Sequence, residues 1–151
     1  MHVTPRPGLD KFLEQIAEHF EIAVFTAGTE EYANAVLDVI DKKGVIGRRL
    51  YRDSCTEVHE GEYAKDLSKH FGDLRRVIIV DNSSLAISLQ PENAIHCLDF
   101  RSDPNDRELE HIGEFIVSMK DAEDVRDKLG QWVNWGKTTS NRTKPVGILC
   151  S

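Results

Sequence analysis

An apolar run, Val77–Val80, leads directly into Asp81 and Asn82. A short apolar run of this kind, bounded by charged residues, predicts a strand buried inside a sheet. A second short run, "IAVF", ends in the same way at Thr26. A carboxylate and an amide at the end of the most apolar strand are costly to bury, so their placement there needs a chemical reason.

Segments with apolar residues at helical spacing lie between and after the predicted strands. The predicted helices are "GLDKFLEQIAEHF" (8–20), "TEEYANAVLDVIDKKG" (29–44), "DPNDRELEHIGEFIVSMK" (103–120) and "AEDVRDKLGQWVNW" (122–135). A third strand is predicted within "NAIHCLDF". Short apolar strands that alternate with amphipathic helices predict an α/β fold with a mostly parallel sheet flanked by helices.

Local signals predict where these helices begin and end. Thr29 is the expected N-cap of the second helix, and Lys42 and Lys43 suit the negative end of its dipole. Asp103 and Pro104 form a start signal for the third helix.

Composition excludes several classes of function. The chain has 151 residues and a net charge of −7, which argues against a nucleic-acid or anionic-membrane partner. No stretch approaches the roughly 20 apolar residues of a membrane span, and "MHVTPRPG" predicts no signal peptide. The cysteines, Cys55, Cys97 and Cys150, are odd in number and widely spaced, which predicts reduced thiols in an intracellular protein.

Polar residues at two strand ends point to a site. The carboxyl ends of parallel strands open into the ligand crevice of such sheets, so Thr26, Asp81 and Asn82 are expected at one edge. A buried carboxylate there needs a cation, either Mg²⁺ or a lysine. An alternative interpretation of equal weight is that Asp81 and Asn82 cap a helix that begins at Ser83 or Ser84.

Four motifs occur in a fixed order: "FTAG", "LYRDSC", "YAKDLS" and "VDNS". Together they resemble the small C-terminal-domain phosphatases, also called NLI-interacting-factor-like phosphatases, of the haloacid dehalogenase superfamily. The resemblance runs from about Val3 to about Trp132. It implies a haloacid-dehalogenase-like domain over residues 1–136. A change of composition in "GKTTSNRTKPVGILCS" predicts a tail over residues 137–151.

The resemblance implies a Mg²⁺-dependent phosphatase that acts on phosphoserine or phosphothreonine in a phosphoprotein, often the tail of RNA polymerase II, in the nucleus or cytoplasm. Thr26 matches the hydroxyl that holds a phosphoryl oxygen, and Lys65 matches the lysine that neutralises the phosphoryl group. Arg52 matches an arginine near the substrate phosphate. Asp81 and Asn82 match the motif that holds Mg²⁺ directly or through water.

Phosphoryl transfer is catalysed mainly by positioning and charge stabilisation, for which a cation, a hydroxyl and a hard metal on oxygen ligands are suited. Other roles stay open for two of these residues. Without the family motif, Lys65 is interpreted as a solvated surface lysine. For Arg52, a strand arginine that pairs with an acidic residue is an interpretation of equal weight.

The first motif of this family, DxDxT, does not occur in the 151 residues. Its aspartates are the nucleophile and the general acid and base, so we expect no turnover and weak or absent Mg²⁺ binding. Its strand is the central strand of the superfamily sheet, so two strand edges are expected to be unpaired. Three alternatives follow. The two edges pair directly, the chain is a fragment of a longer polypeptide, or another strand fills the gap. Such a strand is supplied by "KPVGILCS" (144–151) or by a second copy in a homodimer.

Two functions therefore remain: a phosphatase seen without its nucleophile, and a pseudophosphatase that binds phosphoproteins. A receiver domain is excluded, because receivers place the acceptor aspartate before the threonine and lysine, and here Thr26 and Lys65 precede Asp81. Thr29 and Glu60 depart from the family pattern near the substrate, so a polymerase-tail substrate is not assumed.

Overall fold

Short strands form the framework of the fold. Residues 3–132, the part of the chain that the computed structural model describes, contain six strands: β1 (Ile22–Phe25), β2 (Ile46–Leu50), β3 (Thr56–His59), β4 (Glu62–Ala64), β5 (Ile79–Asp81) and β6 (Ala94–His96). β1 is parallel to β2, and β5 is parallel to β6. β3 and β4 form an antiparallel hairpin. The predicted α/β fold with mostly parallel pairing is confirmed.

Helices lie on the predicted amphipathic segments. They are α1 (Leu9–Ala17), α2 (Glu30–Ile40), α3 (Glu108–Ser118) and α4 (Arg126–Leu129). The predicted start of α3 at Asp103 is wrong. The Asp103 carboxylate accepts the Asn105 N–H at 2.9 Å and so closes a turn, after which the helix begins at Glu108.

The ends of α2 also differ from the prediction. Thr29 occupies the N-cap position with extended backbone, but its side chain makes no capping hydrogen bond. α2 ends at Ile40, and the two lysines beyond it pair with α1 instead of with the helix dipole. Lys42 lies 3.1 Å from Asp10, and Lys43 lies 2.5 Å from Glu14.

Apolar side chains pack in three clusters around the strands. The largest joins α1, α3 and β6 through residues such as Ile16, Phe115 and Ile95. A second contains Phe25 of β1 and Ile79 of β5. The third lies along the inner face of α2. The strands that carry the predicted site residues are therefore fixed to the core.

β1 and β5 are not paired with each other within residues 3–132. The alternative of direct pairing between β1 and β5 is therefore wrong, and the expectation of unpaired edges stays a prediction. The predicted tail, residues 137–151, and the strand candidate at 144–151 lie outside the described residues. No helix of the described part is long and apolar enough to cross a membrane.

A buried ion pair fastens the N-terminal segment to the loop before α3. The Arg6 guanidinium donates to both oxygens of Asp106, at 2.8 and 2.9 Å, and to the Leu98 carbonyl at 2.7 Å. The side chains of Arg6 and Asp106 expose only 1% and 5% of their surface. Removal of one partner leaves the other charge buried without compensation.

We expect Asp106→Asn to lower the free energy of unfolding by about 3–5 kcal/mol, because the Arg6 cation loses its buried counter-ion. Glu110→Gln is the matched control. Glu110 accepts the same two-bond contact from Arg107, at 2.8 and 2.9 Å, but both side chains are exposed. The control should cost no more than about 1 kcal/mol in urea denaturation. Equal losses for the two variants would contradict the assignment of Arg6 as a core clamp.

Candidate functional site

A buried ion pair lies at the carboxyl end of β5. The Lys65 Nζ donates to the Asp81 Oδ2 at 2.5 Å, and the two side chains expose 2% and 1% of their surface. The other carboxylate oxygen, Oδ1, accepts the Ser83 N–H at 2.9 Å. Lysine is therefore a partner of the carboxylate that ends the apolar strand, which explains how a charge is tolerated there.

The alternative role of Asp81 as a helix cap holds only in part. Its bond to Ser83 has the form of a cap, but residues 84–89 form turns and no helix begins there. The Ser83 hydroxyl accepts the Ala86 N–H at 3.2 Å, and the Ala86 carbonyl accepts the Lys65 N–H at 2.9 Å. The turn after β5 thereby positions the backbone of the lysine that Asp81 binds.

Thr26 lies at the carboxyl end of β1 and is buried. Its N–H donates to the Leu50 carbonyl at 2.8 Å, and its Oγ1 accepts the Gly28 N–H at 3.0 Å. A Cβ at Gly28 would lie 3.2 Å from the threonine Oγ1, which is tighter than an ordinary contact. The glycine therefore lets the loop after β1 fold close around the hydroxyl.

Cys55 lies at the carboxyl end of β1, and sequence reasoning missed it. Its thiol donates to the Thr26 carbonyl at 3.6 Å. Burial raises the pKa of the Cys55 thiol, against the opposing effect of the nearby Lys65 and Arg52 cations, and Asp81 raises it further. A raised pKa keeps that thiol protonated at neutral pH, so it is a poor nucleophile.

Arg52 is exposed and is held by the loop that follows Thr26. Its side-chain Nε donates to the Ala27 carbonyl at 2.7 Å, and its backbone N–H donates to the Gly28 carbonyl at 3.0 Å. The guanidinium also lies 5.6 Å from the ring centre of Tyr63. Within residues 3–132 it forms no ion pair, so the alternative of an arginine neutralised by an acid is wrong there.

A depression of about 290 Å³ opens beside these groups. It is lined by Ala27, Gly28, Thr29, Tyr32 and Arg52. The guanidinium gives its wall a positive charge, and the exposed ring of Tyr32 gives it an apolar side. Thr29, which departs from the family pattern near the substrate, also lines this depression.

Asn82 lies beside a carboxylate that the sequence analysis did not identify. Its Nδ2 donates to the Asp99 Oδ1 at 2.9 Å, and its backbone carbonyl contacts the His96 Nε2 at 2.9 Å. Asp99 follows β6 just as Asp81 ends β5, so the rule that polar residues at strand ends share an edge could have found it.

The described residues do not by themselves complete a magnesium site. Both oxygens of Asp81 are engaged, and the Asn82 amide is bound to Asp99. Among residues 3–132 no group of three His, Cys, Asp or Glu side chains could hold a metal ion. Mg²⁺ requires near-octahedral oxygen coordination. The metal-binding roles of Asp81 and Asn82 therefore stay predictions.

Comparison with known proteins defines the class of the protein. The family profile of the NLI interacting factor-like phosphatases matches residues 1–126. The chain belongs to this family, as its four motifs predicted. The haloacid-dehalogenase-like fold is also confirmed by solved structures. A variant of the fission yeast RNA polymerase II CTD phosphatase Fcp1 with bound beryllium fluoride matches 85% of this chain and 38% of its own, with a TM-score of 0.54 and 25% identity.

Individual relatives are similar over most of this chain. A probable C-terminal domain small phosphatase of Dictyostelium discoideum is 46% identical over 126 residues, which are 83% of this chain and 41% of the relative. The human carboxy-terminal domain RNA polymerase II polypeptide A small phosphatase 2 is 40% identical over 131 residues, 87% of this chain and 48% of the relative. The chain thus spans less than half the length of these relatives.

We expect Asp81→Asn to lower the free energy of unfolding by about 3–5 kcal/mol, because it removes the charge that compensates the buried Lys65 ammonium. The double variant Lys65→Met with Asp81→Asn removes the buried cation as well, and should recover at least half of that loss. Urea denaturation of the wild type, both single variants and the double variant gives the coupling energy. Strictly additive losses would show that the two side chains do not form the pair described here.

Proposed function

We propose that this chain carries the phosphate-binding part of a phosphatase site that acts on phosphoserine or phosphothreonine in a phosphoprotein. The observation that carries the proposal is the buried Lys65–Asp81 pair at the carboxyl end of β5. Membership in the phosphatase family supports it.

The chemistry of a phosphomonoester suits these groups. Its oxygens carry negative charge that a lysine and an arginine stabilise, more strongly at a partly desolvated site. Lys65 supplies an ammonium whose position is fixed by Asp81, and Arg52 supplies an exposed guanidinium at the rim. The Thr26 hydroxyl is held in place by the Gly28 N–H, so its orientation is set before a ligand arrives.

Hydrolysis needs a nucleophile that these groups do not provide. Lys65 supplies a positive charge and no nucleophile. Burial raises the pKa of the Cys55 thiol and so keeps it protonated. The family resemblance assigns the nucleophile to a DxDxT motif, and the 151 residues contain none. We therefore propose that this polypeptide by itself binds phosphorylated ligands without turning them over.

The absence of DxDxT from the 151 residues equally favours a second function, a pseudophosphatase that binds phosphoproteins. The two functions share the same phosphate contacts and differ only in whether a nucleophile is ever supplied. For either function the substrate stays open. The human relative is named for RNA polymerase II, but Thr29 at the depression and Glu60 on the β3–β4 turn alter the surface that such a substrate would meet.

We expect no hydrolysis of p-nitrophenyl phosphate above background by the 151-residue polypeptide, because positioning groups alone cannot form an aspartyl-phosphate. Release of nitrophenol is followed with and without Mg²⁺, and the Lys65→Met variant is the control for a contaminating phosphatase. Mg²⁺-dependent hydrolysis that this substitution abolishes would contradict the prediction.

A chimaera separates the two functions. The segment of the human relative that precedes its match to this chain is joined upstream of residue 3, and phosphate release from a phosphoserine peptide is measured. A phosphatase site should hydrolyse the peptide, and Lys65→Met in the same chimaera should remove the activity. A folded chimaera that binds the peptide and never releases phosphate would favour the pseudophosphatase.

We also propose that Mg²⁺ binds this polypeptide weakly. The oxygens of Asp81 already bind Lys65 and Ser83, and Mg²⁺ gives up its water ligands reluctantly. Titration calorimetry should therefore give a dissociation constant far above the micromolar range, and Asp81→Asn should change it little. A submicromolar constant would show that a complete oxygen site forms.

A further inference from the structure

The depression beside Arg52 has one positive side chain in its wall. Among the described residues that line it, only Arg52 is charged. The bond from its Nε to the Ala27 carbonyl, at 2.7 Å, holds the guanidinium at this wall. A phosphomonoester brings about 1.5 to 2 negative charges at neutral pH, which is more than one guanidinium neutralises. The charges around the depression therefore influence which phosphorylated segments bind there.

The β3–β4 hairpin brings a carboxylate to the same side as the Arg52 guanidinium. That guanidinium lies 5.6 Å from the ring centre of Tyr63 in β4. Tyr63 is the cross-strand partner of Glu57 in β3. Directly opposed residues of an antiparallel pair project from the same face, about 5 Å apart. Glu57 therefore lies on the hairpin face that Arg52 contacts.

The Glu57 carboxylate is held in place without being neutralised. Its Oε1 accepts the Gly61 N–H at 3.0 Å, across the turn of the hairpin. Lys69 also contacts the hairpin, but its Nζ donates to the Thr56 hydroxyl at 3.0 Å. Thr56 precedes Glu57, and successive side chains of a strand project from opposite faces. The lysine therefore contacts the other face of the hairpin.

Further carboxylates border the depression on two sides. Thr29 and Arg52 both line it; the first is followed directly by α2 and the second by a short turn. Exposed acidic residues lie on these two segments and along the hairpin: Glu30, Glu31, Asp53, Glu57, Glu60 and Glu62. Within residues 3–132 none of the six forms an ion pair. One guanidinium is thus bordered by six uncompensated carboxylates.

We propose that this acidic border selects phosphorylated segments that carry lysine or arginine on both sides of the phosphorylated residue. The phosphate binds at Arg52, and the flanking cations bind the carboxylates of the hairpin and of the start of α2. An extended chain advances about 3.3 Å per residue, so cations within about three residues of the phosphate reach these side chains. The selection rests on the proposed function, because it concerns the substrate of the same depression.

Glu57 is the main specificity-determining residue of this border, because the contact between Arg52 and Tyr63 fixes its place beside the guanidinium. The six carboxylates disfavour an acidic segment, whose phosphate would approach them with no compensating cation. Because all of these charges are exposed, each contact changes the affinity only a few-fold, and salt weakens it. Several contacts together give a preference that a titration measures.

The test compares three phosphoserine peptides on the 151-residue polypeptide: ARRpSRRA, AAApSAAA and AEEpSEEA, each acetylated and amidated. Dissociation constants come from NMR titrations of the ¹⁵N-labelled chain at about 50 mM salt. The arginine peptide should bind at least about tenfold more tightly than the alanine peptide, and the glutamate peptide should bind most weakly. At about 300 mM salt the difference should shrink severalfold. The unphosphorylated peptide ARRSRRA should leave the amides of Gly28 and Arg52 unshifted.

A variant of the hairpin tests the assignment of the border. Glu57→Gln, Glu60→Gln and Glu62→Gln together should reduce the affinity ratio of the arginine and alanine peptides at least about threefold, since exposed charge pairs are individually weak. Glutamine at position 57 keeps an oxygen that accepts the Gly61 N–H, so the hairpin should stay folded.

A matched control changes the net charge of the chain by the same amount elsewhere. Glu114→Gln, Asp121→Asn and Glu123→Gln together remove three exposed carboxylates from α3 and the loop that follows it. This variant should leave the ratio of the two affinities unchanged. An equal loss in both variants would show that only the overall charge of the protein attracts the arginine peptide, and would overturn the proposal.

Equal affinity for the three phosphorylated peptides would also overturn it. Phosphate-dependent shifts at Gly28 and Arg52 with the alanine peptide, and no gain from arginine, would leave the proposed function standing and refute only the selection. If no peptide gives phosphate-dependent shifts, the proposed function fails and the selection fails with it.

Discussion

The ion pair between Lys65 and Asp81 is the constraint on which the site depends. Two opposite charges with almost no exposed surface are tolerable only when they stay together, since separating them leaves several kcal/mol of uncompensated desolvation. The pair therefore fixes the loop after β4 against the end of β5. The turn that begins at Ser83 reinforces this contact, because it binds both the Asp81 carboxylate and, through Ala86, the lysine backbone. A cation is thereby held at the carboxyl end of β5.

The fold brings these groups together although its parallel strands form two separate pairs. Shared apolar clusters on both faces hold β1 and β5 in one layer, and the Cys55 thiol donates to the Thr26 carbonyl at the carboxyl end of β1.

Much of this could be predicted from sequence, because the strongest signals are local. The run Val77–Val80 predicted a buried strand, and the motif order predicted the family. Direct contact between Lys65 and Asp81 depends on two elements 16 residues apart, so no periodicity could show it, although the need for a cation was clear. Asp99 was missed because its importance arises only when β6 lies beside β5. The start of α3 was placed too early because Asp103, a typical helix-start residue, closes a turn instead.

The most direct test of the account is an NMR titration of the ¹⁵N-labelled chain with a phosphoserine peptide, compared with the same peptide carrying serine. If the edge described here binds phosphate, saturable shifts should appear at the amides of Thr26, Gly28, Arg52 and Lys65, and only with the phosphorylated peptide. The absence of phosphate-dependent shifts, or their confinement to residues remote from Thr26 and Lys65, would contradict it.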